Sequence, residues 1–203
     1  MALLNSTMVP LDTLAHDFEL EGTDGKTYSL DSFSDREVLV IIFMCNHCPY
    51  VKAVLKRLID LQNEFSSRGV QLVGINPNDA VRYPDDSLDS MKMIAREKGL
   101  PFPYLVDPSQ GTAKEYNAVC TPDLYVYGKE RKLIYRGRID DNWEHPEKVT
   151  RQDLKLALEN ITTGQPVPSK QIPSMGCSIK WKTSLKSMFK RIKKMENFLK
   201  ENS

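Results

Sequence analysis

The feature that most constrains this chain is a pair of cysteines at the end of a continuous apolar run. The run covers residues 38–44, and Cys45-Asn46-His47-Cys48 follows it directly. An apolar run without alternation is typical of a strand that is covered on both faces of a sheet. After the motif, apolar residues recur at helical spacing as far as Phe65, and Pro49 suits the first turn of a helix. The sequence therefore predicts two thiols between a buried strand and the start of a helix.

Strand and helix patterns alternate along the rest of the chain. They comprise a hairpin around Asp24-Gly25, a strand at 70–75, a helix ending at Gly99, a strand at 104–106, a helix from Asp107 to about Asn117, a hairpin around Gly128-Lys129, and a helix capped by Thr150 with Asp153. This order predicts an α/β fold with a mixed, mostly parallel central sheet and helices on both faces. A hairpin precedes the sheet, and a helical extension follows it.

Composition divides the chain into three parts. Residues 10–163 are expected to form the main domain, 164–181 a Pro-rich extension that contains Cys177, and 182–203 a basic amphipathic helical tail. The tail holds seven Lys or Arg against two Glu, and this local excess marks a tail, not a nucleic-acid-binding protein. Its apolar face favours docking on the domain or a homodimer, with weak contact to an anionic membrane surface as the alternative.

The expected compartment is the cytoplasm. No stretch approaches the roughly 18 apolar residues of a membrane span, and the N-terminus lacks the basic start and apolar core of a signal peptide. In a reducing compartment, a CxxC motif favours redox chemistry or metal binding over a structural disulfide.

The spacing of the two thiols suits thiol–disulfide exchange, which needs an attacking thiolate and a second thiol that resolves the mixed disulfide. Cys45 is predicted to attack, because it precedes the helix, lies near its free N–H groups and should be the more exposed sulfur. Cys48, one turn further on, is predicted to resolve. A protonated His47 between them would lower the pKa of Cys45.

Two other interpretations of the motif remain. The cysteines could be buried core residues, or they could bind zinc in a redox-inert interaction domain. Structural zinc usually takes four Cys or His ligands, but the remaining cysteines, Cys120 and Cys177, are single and distant in sequence. Covalent haem attachment would require His where Pro49 stands. We therefore expect neither a metal nor another cofactor.

Several motifs in a fixed order resemble one family. The motifs are the apolar strand with Cys45-Asn46-His47-Cys48-Pro49-Tyr50-Val51-Lys52, Cys120-Thr121-Pro122-Asp123, residues 15–20, 76–79, 102–107, 135–141 and 173–181. Together they resemble the thioredoxin superfamily, and more narrowly the peroxiredoxin-like (AhpC/TSA-type) proteins described as probable thiol-disulfide isomerases. The resemblance runs from about residue 10 to residue 182.

The resemblance implies a thioredoxin-like fold in which Thr121-Pro122 forms a cis-proline loop facing the cysteines. Such a loop offers backbone groups to an extended partner segment, so Thr121, Pro122 and the adjacent Cys120 are the expected substrate-binding residues. The implied partners are protein or small-molecule disulfides and thiols, and an upstream thiol reductant.

A thiol peroxidase is the alternative activity. Peroxiredoxins carry a Pro-x-x-x-Thr-x-x-Cys pattern, which would make Cys48 the peroxidatic cysteine. Here Cys45 replaces the Thr and Ile41 replaces the Pro, and an Arg that stabilises the thiolate has no clear counterpart near Thr121. These departures favour a thiol–disulfide oxidoreductase that cycles a Cys45–Cys48 disulfide. Cys120 and Cys177 are candidates for auxiliary redox thiols or for simple packing.

Overall fold

The computed structural model describes residues 3–183. The strands are β1 (Leu3–Asn5), β2 (Glu19–Gly22), β3 (Thr27–Ser29), β4 (Val38–Phe43), β5 (Val70–Asn76), β6 (Tyr104–Val106), β7 (Cys120–Thr121), β8 (Asp123–Tyr127), β9 (Leu133–Tyr135) and β10 (Met175–Ser178). The α-helices are α1 (Pro49–Phe65), α2 (Leu88–Lys98), α3 (Gly111–Glu115) and α4 (Asp153–Thr162).

Seven strands form the central sheet in the order β3-β2-β6-β5-β4-β8-β9. The pairings of β4 with β5 and of β5 with β6 are parallel. The outer pairings are antiparallel. The predicted mixed sheet and both hairpins are confirmed, but the sheet is not mostly parallel. A hairpin adds its strands in antiparallel fashion, and one hairpin lies on each side of the parallel centre.

The core lies on both faces of this sheet. All six residues of β4 are buried, as the unalternated apolar run predicts. One apolar cluster joins β4 to α1 and α4, and a second joins its opposite face to residues around α3. The predicted placement of helices on both faces is confirmed. The end of β4, where the cysteines begin, is therefore held by packing from both sides.

A second, three-stranded sheet has the order β1-β10-β7. Its central strand, β10, comes from the C-terminal part of the described chain, after residues 165–174, which contain no helix or strand. In β10, Cys177 pairs with Thr121 of β7 and Ser178 pairs with Cys120. The small sheet therefore brings a third and a fourth cysteine to the end of β4.

Two predicted helix starts are wrong. The helix expected from Asp107 is the short α3, whose N-cap is Gln110, although Asp107 accepts a hydrogen bond from the Ala113 N–H at 3.0 Å. The N-cap of α4 is Gln152, and Thr150 instead hydrogen-bonds to Asp141. A polar side chain near a helix start caps it only when no other partner holds that side chain.

The predicted amphipathic tail lies outside the described residues apart from its first two positions. Within residues 3–183, no helix combines the length and apolar character needed to cross a lipid bilayer.

Candidate active site

The two CxxC cysteines lie between β4 and α1, opposite the loop that joins β7 to β8. Cys45 Sγ is 3.4 Å from the hydroxyl oxygen of Thr121, and Cys48 Sγ is 3.1 Å from the Thr121 carbonyl oxygen. The Thr121–Pro122 peptide bond is cis, as the resemblance implied. The structure therefore brings Thr121 into contact with both cysteines, which lie 76 and 73 positions before it in the sequence.

Cys48 is the thiol whose charge this environment stabilises. It is the N-cap residue of α1, where backbone N–H groups have no partner within the helix. The pKa of Cys48 is lowered from 9.0 to about 5, first because the Cys45 thiol donates a hydrogen bond to it. Burial opposes this shift, but hydrogen bonds from the Thr121 hydroxyl and from the N–H groups of Val51 and Cys177 reinforce it. The reduced pair therefore holds its negative charge on Cys48.

The pKa of Cys45 shifts in the opposite direction. Its pKa is raised because its proton is shared with Cys48, because it is buried, and because Asp86 is negatively charged nearby. The expectations that Cys45 lies at the helix terminus and has a lowered pKa are wrong. Both sulfurs belong to buried residues, at 1% and 0% exposure. The helix begins at Pro49, four residues after Cys45, and its N-cap is Cys48, so its free N–H groups meet Cys48.

His47 faces a buried carboxylate. Its Nδ1 is 2.5 Å from Asp86 Oδ2, and its ring stacks on Tyr83 with centroids 5.2 Å apart. Among the described residues, His47 Nε2 has no hydrogen-bond partner although it is buried. Asp86 therefore orients the imidazole with one ring nitrogen free.

Asp86 is the main residue of the site that the sequence analysis did not find. It is buried, and it also accepts hydrogen bonds from the Asn46 N–H at 2.7 Å and from Asn78 Nδ2 at 2.8 Å. Burial raises the pKa of Asp86, but hydrogen bonds and the charge of His47 outweigh burial and leave the pKa lowered. Asp86 lies 39 positions beyond His47, in the short 3-10 helix Pro84–Asp86, and only Asn76-Pro77-Asn78-Asp79 of that region stood out in the sequence.

Cys45, His47 and Asp86 each offer one atom of a kind that binds metals, all within 4.8 Å of one another. Three donors of three different kinds fall short of the four Cys or His ligands usual for structural zinc. The hydrogen bond between His47 and Asp86 also engages two of the three. The chemistry of this donor set fits a hydrogen-bonded network better than a metal centre.

Cys120 and Cys177 both lie beside the cis-proline loop, but only one contacts the CxxC pair. Burial raises the pKa of Cys177 to about 11, and the neighbouring Cys48 sulfur adds to this rise. The Cys120 thiol instead faces the Pro122 carbonyl oxygen at 3.8 Å, and burial raises its pKa strongly. Of the two auxiliary candidates, Cys177 is therefore the one that lies next to Cys48.

A buried arginine anchors the cis-proline loop from behind. Arg136 and Asp123 are both 0% exposed, and Arg136 Nη1 is 2.6 Å from Asp123 Oδ1. The guanidinium also lies over the Tyr125 ring at 3.7 Å and donates to the Thr7 carbonyl oxygen at 2.8 Å. Because Asp123 follows Pro122 directly, this pair fixes the loop rather than the sulfurs. The sequence analysis did not single it out.

An open cleft runs beside Pro122. It has a volume of about 240 Å³, and Val54, Trp143, Ser174 and Met175 are among the residues that line it. Trp143 packs on Tyr50 of the first turn of α1, with ring centroids 4.1 Å apart. The cleft gives the loop an apolar surface open to solvent.

Comparison with known proteins identifies the family. The model of the AhpC/TSA family matches residues 11–136. A chloroplastic peroxiredoxin Q from Populus jackii is 28% identical over 144 residues, which is 68% of this chain and 63% of the relative. The chain thus spans slightly less than two thirds of the length of that relative.

Solved structures extend the likeness over almost the whole described chain. An uncharacterized conserved protein from Geobacillus kaustophilus is 45% identical, with a TM-score of 0.86 over 91% of this chain and 98% of its own. A hypothetical protein from Sinorhizobium meliloti is 36% identical, with a TM-score of 0.85 over 89% of this chain and 99% of its own.

More distant structures show the fold. The thioredoxin domain of a thiol-disulfide oxidoreductase from Bacteroides vulgatus is 15% identical, with a TM-score of 0.55 over 64% of this chain and 89% of its own. The fold is therefore thioredoxin-like, as the motifs implied. With a family model that covers most of the central sheet and a cysteine at the start of α1, the chain belongs to the AhpC/TSA family.

Proposed function

We propose that this protein is a thiol–disulfide oxidoreductase that cycles a disulfide between Cys45 and Cys48. The observation that carries this proposal is the placement of both thiols against Thr121, with Cys45 Sγ 3.4 Å from its hydroxyl oxygen and Cys48 Sγ 3.1 Å from its carbonyl oxygen. In this setting the pKa of Cys48 is lowered to about 5 and that of Cys45 is raised, which favours a Cys48 thiolate beside a Cys45 thiol. A thiolate next to a second thiol is the arrangement that dithiol exchange requires. The relatives named above include both peroxiredoxins and a thiol-disulfide oxidoreductase, so they support redox chemistry without choosing a substrate.

In this function, Cys48 attacks and Cys45 resolves, the reverse of the roles expected from sequence. The Cys48 thiolate displaces one sulfur of the partner disulfide and forms a mixed disulfide with the other. Cys45 then attacks Cys48, and the partner leaves as a second thiol. Two electrons pass from the protein to the partner, and an upstream thiol reductant returns them.

The cleft beside Pro122 is the proposed entrance for the partner. Its apolar lining suits an extended peptide or a small organic disulfide, and Pro122 is part of that lining. His47 and Asp86 act as positioning residues, because they hold Asn46 and the turn between the two cysteines through the hydrogen bond from the Asn46 N–H. Nothing in this scheme requires a metal or another cofactor. The proposed compartment is the cytoplasm, where thiol reductants are abundant.

A thiol peroxidase is the second candidate, and the lowered pKa of Cys48 is the observation that favours it. A thiolate at a helix N-terminus can attack a peroxide, which gives a sulfenic acid on Cys48 and releases water. Cys45 would then condense with the sulfenic acid to form the same Cys45–Cys48 disulfide and a second water. The two activities share the pair and differ in the oxidant.

Rates with the two oxidants separate these activities. The wild type, Cys45→Ser and Cys48→Ser are each mixed with a glutathione-type disulfide or with hydrogen peroxide, and the thiols that remain on the protein are counted over time after small thiols are removed. Disulfide exchange predicts fast loss of protein thiols with the disulfide in the wild type, a mixed disulfide on Cys48 as the first product in Cys45→Ser, and no reaction in Cys48→Ser. Peroxide consumption far faster than disulfide exchange would establish the peroxidase instead. Bound zinc without either reaction would exclude both enzymes.

A further inference from the structure

The strand β10 pairs with β7 next to the cis-proline bond, along the edge of β7 that would otherwise be unpaired. Cys177 lies opposite Thr121 in the antiparallel register, and the Ile179 N–H donates to the Val119 carbonyl oxygen at 3.0 Å. At the other end, the Ser174 hydroxyl donates to the Pro122 carbonyl oxygen at 2.8 Å. The segment from 174 to 179 therefore follows the loop along its whole length.

Gly176 allows this close approach. A Cβ atom at this position would lie 2.0 Å from the Thr121 carbonyl oxygen and 2.5 Å from its carbonyl carbon. Both are backbone atoms, which cannot rotate away. The glycine therefore fixes the depth at which β10 lies on the loop and, with it, the position of the neighbouring Cys177.

This position sets Cys177 against Cys48. Cys48 Sγ lies 3.1 Å from the Thr121 carbonyl oxygen, directly across the ladder from Cys177. Cys177 and Cys48 also affect each other's ionisation, since the Cys177 N–H lowers the pKa of Cys48 and the Cys48 sulfur raises the pKa of Cys177. Cys45 contacts Cys48 as well, and its second partner is the Thr121 hydroxyl. Cys48 is thus a central sulfur that contacts two thiols.

We propose that Cys177 is a third redox thiol, which exchanges with the Cys45–Cys48 disulfide to give a Cys48–Cys177 disulfide. The Cys177 sulfur, as a thiolate, attacks Cys48 Sγ, and the Cys45–Cys48 bond breaks as the new bond forms. The electron pair of the broken bond goes to Cys45, which takes up the proton that Cys177 lost. The oxidation state of the protein does not change, so this step needs no further oxidant.

This inference rests on the proposed function, because it starts from a redox-active Cys48. It adds that the oxidised protein has two disulfide isomers, one within the CxxC motif and one that ties β10 to α1. In the second isomer, Cys45 is a free thiol again.

The test removes Cys45 and asks what resolves a mixed disulfide on Cys48. Full-length Cys45→Ser, Cys45→Ser/Cys177→Ser and Cys45→Ser/Cys120→Ser are treated with the aromatic disulfide DTNB. The proteins are then quenched with acid and their disulfides mapped by peptide mass spectrometry. Cys45→Ser is expected to release two equivalents of the coloured thiol, one at mixed-disulfide formation and one when Cys177 displaces the second. Its map should show Cys48–Cys177.

The double variants identify the resolving thiol. Loss of Cys177 should leave one equivalent released and a stable adduct on Cys48, whereas loss of Cys120 should leave two equivalents and the same Cys48–Cys177 bond. A Cys45→Ser protein without the Cys48–Cys177 bond, or with Cys48 joined to Cys120, would overturn the inference. The single variant Cys177→Ser tests the proposed function separately, because it cannot form Cys48–Cys177, and absence of a Cys45–Cys48 disulfide in its oxidised form would refute that function.

A glycine variant tests the role of strand position. In the Cys45→Ser background, Gly176→Ala should slow the second release by roughly tenfold or more while the first stays rapid, since exchange rates depend on sulfur access. Gly111→Ala is the matched control, because its added Cβ meets only the flexible Ser109 hydroxyl at 3.0 Å. If the second equivalent of thiol is released at the same rate in the two variants, the position of β10 against Thr121 does not control the exchange.

Discussion

At the scale of single residues, the site is an arrangement of unequal thiols around one carbonyl and one carboxylate. The pKa of Cys48 is lowered, while the pKa values of Cys45 and Cys177 are raised, so these two thiols keep their protons. Each inequality has a local cause, either a helix N-terminus, a buried carboxylate or a neighbouring thiolate. The chemistry of the pair is therefore set by environment, since isolated cysteine thiols share one pKa.

The thiolate absorbance of the reduced wild type should rise in a step near pH 5. In Cys48→Ser, that step should be absent, because Cys45 retains a raised pKa. The measurement is ultraviolet absorbance of the thiolate against pH, with the oxidised protein as the blank. A wild type whose first step occurs near pH 9 would contradict the charge assignment.

The same shifts predict how stability depends on pH in the reduced protein. Between pH 5 and 9 the unfolded chain binds a proton on Cys48 that the folded protein has lost, so the free energy of unfolding should rise with pH relative to Cys48→Ser. Above pH 9 the raised pKa of Cys45 acts in the opposite direction, and stability should fall. Urea unfolding under reducing conditions at a series of pH values measures both slopes. A flat difference between the two proteins from pH 5 to 9 would count against the lowered pKa.

Removing the charge of Asp86 should change Cys45 without touching either sulfur. Asp86→Asn removes a nearby negative charge, so the pKa of Cys45 should fall, and loss of charged hydrogen bonds should cost about 1–3 kcal/mol of stability. Asp85→Asn is the matched control, because the neighbouring Asp85 is exposed. Thiol alkylation rates against pH give the first quantity, and urea unfolding gives the second. Identical profiles for the two variants would exclude this role for Asp86.

At the scale of secondary-structure elements, the short strands β7 and β10 position the groups that surround the thiols. β7 contains only two residues, yet it presents Thr121 to Cys45 and Cys48 on one side and pairs with β10 on the other. The helix α1 supplies the opposite wall and places Cys48 at its N-terminus. Neither β7 nor α1 would hold the thiols alone, because Thr121 belongs to β7 and Cys48 to the N-terminus of α1.

Substituting Gly176 should weaken the small sheet before it weakens the main domain. Gly176→Ala places a methyl group against the Thr121 carbonyl, and overpacking of this kind costs about 1–3 kcal/mol. Amide hydrogen exchange should accelerate in β10 and β1 while protection in β4 and β5 is retained. Gly111→Ala should leave exchange in β10 unchanged. Uniform loss of protection across both sheets would show that they unfold as one unit.

At the scale of the whole molecule, the N-terminal arm, the central sheet and the C-terminal segment meet behind the cis-proline loop. Arg136 joins them, since it bonds to Asp123 in β8 and to the carbonyl oxygen of Thr7. Ser6 and Ser174 exchange hydrogen bonds at 2.8 and 3.0 Å nearby. The two ends of the described chain are therefore tied to the loop that faces the cysteines.

Breaking the Arg136–Asp123 pair should destabilise the entire fold. Arg136→Met and Asp123→Asn should each cost about 3–5 kcal/mol, because each leaves a buried group without its charged partner. The double variant should cost less than the sum, as expected for groups in direct contact. Urea unfolding of the four proteins in a double-mutant cycle gives the coupling. Additive costs would show that the two side chains stabilise the fold independently.

The sequence by itself determined much of the architecture. The unalternated run before Cys45 predicted a strand covered on both faces, and the apolar spacing after Pro49 predicted a helix with one buried face; both predictions are confirmed. These are local patterns, and local patterns repeat the period of the structure that they form. The CxxC motif and the Thr121-Pro122 loop were likewise readable as motifs.

Only the tertiary structure decided which sulfur carries the charge and which groups surround it. The helix begins at Pro49, so Cys48 rather than Cys45 meets its free N–H groups. Asp86 and Cys177 reach the site from 39 and from more than a hundred positions away, through a 3-10 turn and a strand of four residues. A pKa depends on burial and on charges within a few ångströms, and distances of that kind between remote residues are set by packing, not by spacing along the chain.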